Sequence, residues 1–330
     1  MKGRRREVLL WAGALLAAPF AAHGQSDRTR QVGLLMAWRE DDAESQLRLA
    51  TFKDGLAALG WIEGRNLKTE VRWAAADVNR ASAYAKELVA LRPDVIVSTA
   101  TPPTAALQKE TTTIPIVFTV VSDPVGSHFV KTLARPGGNI TGFVNLESSL
   151  VEKWLQLLKE IAPRTTRVGV MFNPRTAPYV EYYLQPLNGV AARLGVKTFA
   201  AKVGSDAEIE QTIGGLGREA GSGLLVLTDS FMLVHRKVAI TQAARHKVPT
   251  MYYSTIPVGE GGLIGYGVDT LDLIRRSASY VDRILRGASP AELPVQQPQK
   301  FELAINLKAA KALGLAVPQS LRLRADRVIE

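Results

Sequence analysis

Short apolar runs alternate with segments of helical spacing along the chain. The apolar runs, which predict strands, lie at residues 31–38, 66–73, 94–98, 114–121, 167–172, 197–201, 224–228 and 249–253. Segments with the spacing of amphipathic helices lie at residues 43–59, 81–91, 102–110, 151–161, 179–194, 207–219 and 233–246. Several runs, such as DVIVS at 94–98, are continuous and β-branched, which is typical of strands buried on both faces of a parallel sheet.

The strand–helix order repeats in two cycles, separated by the helical segment 151–161. Repeated units of this kind predict parallel sheets with right-handed crossovers. The chain has 330 residues, which is long for one core and ordinary for two. We therefore predict the α/β class, with two doubly wound, Rossmann-like lobes joined by a hinge. The N-terminal lobe is expected at 30–145, completed by 270–298, and the C-terminal lobe at 146–268, completed by 299–330.

The first 24 residues have the pattern of a cleaved export signal. A basic start at residues 2–6 precedes an apolar stretch at 8–22, and the small residues Ala22 and Gly24 precede the expected cleavage after Gly24. The alternative, a membrane anchor, is disfavoured because the apolar stretch is shorter than the roughly 20 residues that span a bilayer. The pattern predicts an exported, periplasmic protein.

The export route has two possible interpretations. Arg5 and Arg6, followed by Glu7, Val8 and Leu9, resemble a twin-arginine signal, which would mean export after folding. A basic signal for the general secretion route looks similar, so both routes remain open.

Composition narrows the chemistry. The chain contains no cysteine, which excludes disulfides, cysteine-ligated metals, a thiol nucleophile and lipidation at a cysteine. The formal net charge is +10, of which +3 falls in residues 1–24, and the remainder is scattered along helical segments. Since no basic run of the nucleic-acid type follows Arg6, we expect solvated helix faces and no nucleic-acid partner.

Parallel sheets place functional loops at the carboxyl ends of their strands. Those loops would face a shared cleft if the carboxyl ends of the strands in the two lobes face each other. Together with nearby aromatic side chains, this rule predicts the following ligand-binding residues: Trp38, Thr99, Ala100, Thr101, Ser122, Asp123, Tyr179, Asp229, Tyr253 and Asp269.

Several of these residues have a purely structural alternative. Thr99 and Thr101 either cap the following helix or help its N-terminus bind a carboxylate. Asp229 either caps the next helix or accepts a hydrogen bond from a ligand ammonium group. Asp123, before Pro124, is typical of a turn, which would leave Ser122 nearer the ligand. Each aromatic residue, taken alone, is more typical of packing than of recognition.

Catalytic and cofactor motifs are absent from the sequence. His128, His235 and His246 lack metal-ligand spacing, and there is no G-x-S-x-G elbow, P-loop or dinucleotide fingerprint. We therefore predict a binding protein with no catalytic residues, no metal and no cofactor. An enzyme that acts on a small sugar or nucleotide remains the less favoured alternative.

The most specific signal lies at the end of the chain. Residues 301–315 read FELAINLKAAKALGL, and 323–330 read LRADRVIE after Val317 and Pro318. Together they resemble the closing signature of the ABC-transporter substrate-binding protein family that includes tryptophan- and tyrosine-binding members. More of the family's pattern appears in order at residues 59–66, 122–126, 135–142, 261–263 and 280–285.

The resemblance implies a type I periplasmic binding protein fold: two lobes, three crossover strands and a ligand enclosed by hinge motion. In amino-acid-binding relatives, the loop matching 99–101 holds the ligand carboxylate with help from the loop matching 122–123. The acid matching Asp229 takes the amine. Some aromatic-amino-acid binders carry Glu-Asp-Asn-Ser where this chain reads RTAPY at 175–179, so the ligand class stays open.

The expected function is therefore solute capture for an ABC importer. The expected partners are a small polar ligand, such as an amino acid, and an inner-membrane permease, with the binding protein itself a monomer. The alternative partner is a membrane sensor that docks the closed, ligand-bound form.

Overall fold

A computed structural model describes residues 28–145 and 148–330. The first sheet contains five parallel strands in the order β2-β1-β3-β4-β5. Their bounds are β1 Arg30–Met36, β2 Leu67–Trp73, β3 Val95–Thr99, β4 Ile116–Val121 and β5 Ile140–Val144. The helices between them are α1 Ala43–Ala58, α2 Val78–Ala90 and α3 Thr101–Glu110. The predicted export signal at residues 1–24 lies outside the described residues.

The second sheet contains seven strands in the order β12-β11-β10-β9-β8-β6-β7. Their bounds are β6 Arg167–Phe172, β7 Lys197–Lys202, β8 Ser222–Val226, β9 Thr250–Tyr252, β10 Ile264–Val268, β11 Phe301–Asn306 and β12 Arg327–Ile329. The remaining helices are α4 Ser148–Ile161, α5 Val180–Arg193, α6 Asp206–Gly217, α7 Ser230–Val234, α8 Arg236–Arg245, α9 Ile256–Gly259, α10 Thr270–Leu285, α11 Leu307–Ala312 and α12 Gln319–Arg324.

Each sheet is covered by helices on both faces. In β3, Val95 and Val97 face a cluster that includes α1 and α10, whereas Ile96 faces α2 and α3. In the second sheet, Val170 faces α4 and α5, and the neighbouring Met171 faces α6 and α8. This alternation explains the continuous apolar runs, because a strand covered on both sides needs apolar residues at every position. The predicted pair of doubly wound α/β lobes is confirmed.

The described part of the chain passes from one lobe to the other three times: between β5 and α4, between β10 and α10, and between Gln296 and β11. Helix α10 packs in the first lobe, and β11 then enters the second sheet antiparallel to β10. The expectation of parallel pairing is therefore wrong at this one pair. The chain returns from the first lobe at the end of the second sheet that faces the cleft. Strand β11 therefore begins beside the end of β10 and runs antiparallel to it.

The predicted single helix over 233–246 is also wrong. The structure has two helices, α7 and α8, that meet at His235, whose backbone lies outside the helical region. Arg236 stabilises the break, because its Nη1 donates to the carbonyl of Leu233 at 2.9 Å. The break matters for the cleft, since it lets the Arg236 side chain reach Asp42 of the first lobe.

Two glycines of β10 allow the backbone after β9 to pack closely against it. A Cβ at Gly265 would collide with the carbonyl oxygen of Ser254, and one at Gly267 with that of Tyr253. Strand β10 is thus in direct contact with the segment 253–254.

The described helices include no candidate for a membrane span, since each of them is too short or too polar.

We expect Gly267→Ala to destabilise the protein by about 1–3 kcal/mol, because the new methyl group must displace backbone rather than a flexible side chain. The matched control is Gly189→Ala in α5, where a Cβ meets no atom within 4 Å. That change should stabilise by about 0.4–1 kcal/mol through the unfolded state. Urea unfolding of both variants provides the test, and equal effects would contradict the close-packing argument.

Candidate ligand-binding site

A cavity lies between the two lobes, where the carboxyl ends of both sheets meet. The cavity is partly open to solvent. The first lobe contributes Trp38, Arg48, Ala100, Thr101, Val120 and Asn145. The second lobe contributes Thr176, Tyr179, Thr228, Asp229, Ser230, Leu233, Tyr253 and Ser254, and the passage between β10 and α10 contributes Val268 and Thr270.

Two neighbouring strands of the first sheet end in strained residues at this cavity. Ala100, after β3, has a φ of 64°, and Val120, in β4, has a φ of 60°. The register between β4 and β5 shifts between Thr119 and Val121. A β-branched residue at positive φ is rare, and such strain concentrates at functional sites. The bulge turns the end of β4 into the cavity wall.

The first turn of α3 offers few hydrogen-bond donors. Pro102 and Pro103 have no N–H group, and the N–H of Ala100 is bonded to the carbonyl of Thr119 at 2.8 Å. A ligand could therefore use one backbone N–H, that of Thr101, together with the Thr101 hydroxyl. The Thr99 hydroxyl is directed elsewhere, since it accepts from the N–H of Ala37 at 2.8 Å.

Asp229 is the acidic residue of the cavity wall and is only 3% exposed. Its carboxylate caps α7 by accepting from the N–H of Phe231 at 2.9 Å, and it also accepts from Asn173 N–H and the Thr176 hydroxyl. Burial raises the pKa of Asp229 to about 6, although these three hydrogen bonds act to lower it. A carboxylate can accept about four hydrogen bonds, so Asp229 can also accept one from a ligand ammonium group.

Aromatic side chains form the apolar part of the wall. The Tyr179 hydroxyl donates to the carbonyl of Thr228, and burial raises the pKa of both Tyr179 and Tyr253. The Trp38 ring lies under the guanidinium of Arg48, 4.1 Å from ring centroid to Cζ. These contacts fix the rings in place, so their faces are preorganised for an apolar or planar ligand group.

Six of the ten predicted residues line the cavity: Trp38, Ala100, Thr101, Tyr179, Asp229 and Tyr253. The other four do not. Thr99 braces the end of β1, and Ser122 donates to Asn145 Oδ1 at 3.2 Å, so it supports a residue of the wall. Asp123 accepts from Gly126 N–H in a turn, and Asp269 caps α10 by accepting from Asp272 N–H. For these acids the structural alternative accounts for the side-chain contacts.

Arg48 is the charged wall residue that the sequence rules did not select. It lies on α1, on the buried face formed by Ser45, Arg48, Thr51, Phe52 and Leu56. A single cation inside an otherwise buried helical stripe is the signal that could have identified it. The small polar residues of the wall, such as Asn145 and Ser254, carry no comparable signal.

Three polar atoms of wall residues are buried without a hydrogen-bond partner: Arg48 Nη1, Ser230 Oγ and Ser254 Oγ. Buried polar groups are nearly always paired, so unpaired groups that converge on one cavity indicate a site for a polar ligand. Within the described residues, no cluster of three or more His, Asp or Glu side chains is arranged to hold a metal ion.

An ion pair crosses the mouth of the cleft. Arg236 of α8 donates to Asp42 at 2.5 Å and forms two hydrogen bonds with Glu260. Asp42 also caps α1 in the other lobe. Partial burial acts to raise the pKa of Asp42, but the hydrogen bond and charge of Arg236 outweigh it and keep that pKa below its ordinary value. The pairing therefore persists at neutral and mildly acidic pH and is lost only as pH falls through the lowered pKa.

Comparison with known proteins places this geometry in a family. The family model described as "ABC transporter substrate binding protein" matches residues 40–329. The chain is 27% identical over 277 residues to a tyrosine-binding protein of Clostridioides difficile, covering 84% of this chain and 78% of that protein.

Two solved structures are similar in fold to this chain. A Streptococcus pneumonia ABC domain in complex with L-Trp has a TM-score of 0.84 at 25% identity, covering 91% of this chain and all of that chain (100%). A ligand-free, open substrate-binding protein of Clostridium difficile has a TM-score of 0.66 at 26% identity, covering 91% of this chain and 99% of that chain. This chain is therefore more similar overall to the L-Trp complex than to the ligand-free, open structure. The matched family consists of solute-binding proteins, so the prediction of a binding protein and not an enzyme is confirmed.

We expect Asp42→Asn to shift the ligand-free protein toward an open arrangement. The amide keeps an oxygen that can cap α1 but loses the charge that pairs with Arg236. Small-angle X-ray scattering should show a larger radius of gyration than for the wild type. The control is Asp77→Asn, which changes the N-cap of α2 in the same way at an exposed site without an inter-lobe partner. An unchanged radius for Asp42→Asn would contradict the role of this pair.

Proposed function

Because the chain belongs to the ABC transporter substrate-binding protein family, we propose that it is the periplasmic solute-binding component of an importer and that its ligand is an amino acid or a related compound. Proteins of this family bind small molecules and work with ABC transporter permeases. The observation that carries the proposal is the position of Asp229. It lies in the cavity wall opposite a first lobe whose α3 begins at the same cavity.

In the proposed binding mode, the ligand ammonium group donates to Asp229 and the ligand carboxylate accepts from the Thr101 N–H and hydroxyl. Trp38, Tyr179 and Tyr253 contact the remainder of the ligand, and Ala100 forms part of the wall. Each charge-assisted hydrogen bond would contribute about 1.5–3 kcal/mol. Thr99, Ser122, Asp123 and Asp269 have an indirect role, because they hold the loops that carry these groups.

The binding groups lie on opposite lobes, so the ligand is the bridge between them. Closure is favoured by the contacts that the ligand makes with both lobes together. We assign residues 30–145 and 270–298 to one lobe and 146–268 and 299–330 to the other. A permease that recognises the closed shape could then accept loaded protein and ignore empty protein. The basic and apolar pattern of residues 1–24 supports export to the periplasm, and the protein is proposed to act as a monomer.

The direct test is a thermal-shift screen of the purified protein against amino acids, sugars, purines and aromatic acids. An amino acid present at 100 times its dissociation constant should stabilise the protein by about 2.7 kcal/mol. The ligand should be recovered unaltered after incubation. Stabilisation by sugars or purines alone would contradict the proposal.

The affinity for an amine-bearing ligand should depend on pH through Asp229. Since the free carboxyl has a pKa of about 6, the anion that accepts from the ammonium group is fully formed only above that value. Affinity measured by calorimetry should rise between pH 5 and pH 7, by up to about tenfold per unit, and then level off.

Asp229→Asn should abolish this pH dependence and weaken binding by about tenfold or more. The des-amino analogue of the same ligand is the control, because it lacks the ammonium group and should not gain affinity over this pH range. If the wild-type protein binds the amino acid with the same affinity from pH 5 to pH 7, Asp229 does not bind the ammonium group.

A further inference from the structure

Arg48 and Asp229 are the two residues with formal charges among those that line the cavity. The proposed binding mode uses Asp229 but leaves Arg48 without a role. The Arg48 side chain is only 2% exposed, and its Nη1 is buried without a hydrogen-bond partner. The charge of Arg48 is paired with Glu44, but its Nη1 has no acceptor among the described residues, so an anionic ligand group could supply one.

The guanidinium of Arg48 is held in a fixed orientation. Its Nε donates to Glu44 Oε1 at 3.1 Å, one helical turn away, and its face rests on the Trp38 ring. Glu44 thus occupies one edge of the planar group. The Nη1 donors remain without a partner, and a carboxylate or another oxyanion is the acceptor that suits a guanidinium.

The second arginine near the cleft is fully engaged. Arg236 forms ion pairs with both Asp42 and Glu260 at the mouth of the cleft, so two carboxylates balance its charge. Arg48 has one carboxylate partner and an unused edge. Of these two arginines, Arg48 is therefore the one available to a ligand.

Arg48 on α1 and Asp229 at the start of α7 belong to opposite lobes, and both line the same cavity as Tyr253. The pKa of Tyr253 is raised chiefly by burial, and Arg48 acts to lower it while Asp229 acts to raise it, so the phenol is within electrostatic range of both. The raised pKa of Asp229 itself results from burial and its three hydrogen bonds. In the proposed binding mode the α-carboxylate already accepts from Thr101, so Arg48, which lines the same cavity, is left for a second anionic group on the ligand.

We infer that Arg48 binds an anionic group on the ligand side chain, separate from the α-carboxylate, and that it selects amino acids with an acidic side chain. This inference rests on the proposed amino-acid function and names the substrate class of that same site. The Trp38 and Tyr253 rings line the same cavity as the two charges, so they could contact an aromatic group between the ends of the ligand.

The test is calorimetry with two matched pairs of probes: L-glutamate against L-glutamine, and 4-carboxy-L-phenylalanine against its carboxamide. Each pair differs only in the charge of the terminal group. Wild-type protein should bind the acidic member of at least one pair about tenfold or more tightly than its amide. Absence of a preference in both pairs overturns the inference, and this comparison needs no variant.

Arg48→Gln should remove the preference by weakening the acidic probe while leaving the amide nearly unchanged. Arg48→Lys should retain part of it. The control is Arg276→Gln, since Arg276 also has a buried, unbonded Nη1 and lies over an aromatic ring, but outside the cavity. If Arg48→Gln weakens both members of a pair equally, Arg48 holds the common α-carboxylate and the inference is wrong.

The two proposals fail in different ways. Binding of the amides with dependence on Asp229, but without preference for the acids, overturns the Arg48 inference and leaves the amino-acid function standing. Binding of glutarate or terephthalate with dependence on Arg48, without binding of any amino acid, overturns the amino-acid function and supports Arg48 as an anion site. Binding of none of these probes overturns the Arg48 inference, while the amino-acid function is decided by the thermal-shift screen.

Discussion

The site depends on one geometric constraint: the carboxyl ends of two parallel sheets face each other across a narrow cleft. A strand buried on both faces cannot carry functional groups along its length, so polar chemistry is confined to the strand ends. β3, β4 and β8 each end at the cavity, whose wall includes Val120 of β4 and residues that follow β3 and β8. The apolar interior of each lobe and the polar cleft are therefore consequences of the same topology.

Within that cleft, the balance between burial and pairing decides which groups are ready for a ligand. Asp229 is held by three internal hydrogen bonds yet keeps a raised pKa, because burial outweighs them. Arg48 is clamped by Glu44 and Trp38 but keeps an unpaired nitrogen. Such groups are costly in the empty protein, and that cost is relieved when a ligand of opposite charge binds. Preorganisation of this kind favours affinity, since the protein loses little freedom on binding.

The lobes are linked by more than the ligand site. Arg236 joins Asp42 and Glu260 at the cleft mouth, and its position depends on the helix break at His235. Asp42 in turn caps α1, the helix that carries Arg48 into the cavity. Closure of the lobes and placement of the Arg48 side chain are therefore connected through α1.

The sequence by itself determined the α/β class, the two cycles of strands and helices, and the strand ends on which Trp38, Thr101 and Asp229 lie. It could do so because periodicity and strand-end position are local properties of the chain. Only the tertiary structure decided that Arg48 belongs to the cavity, that Asp269 caps α10 without lining the cavity, and that β11 runs antiparallel. Those outcomes depend on which surfaces the three passages between the lobes bring together, and contacts of that kind connect residues far apart in the sequence.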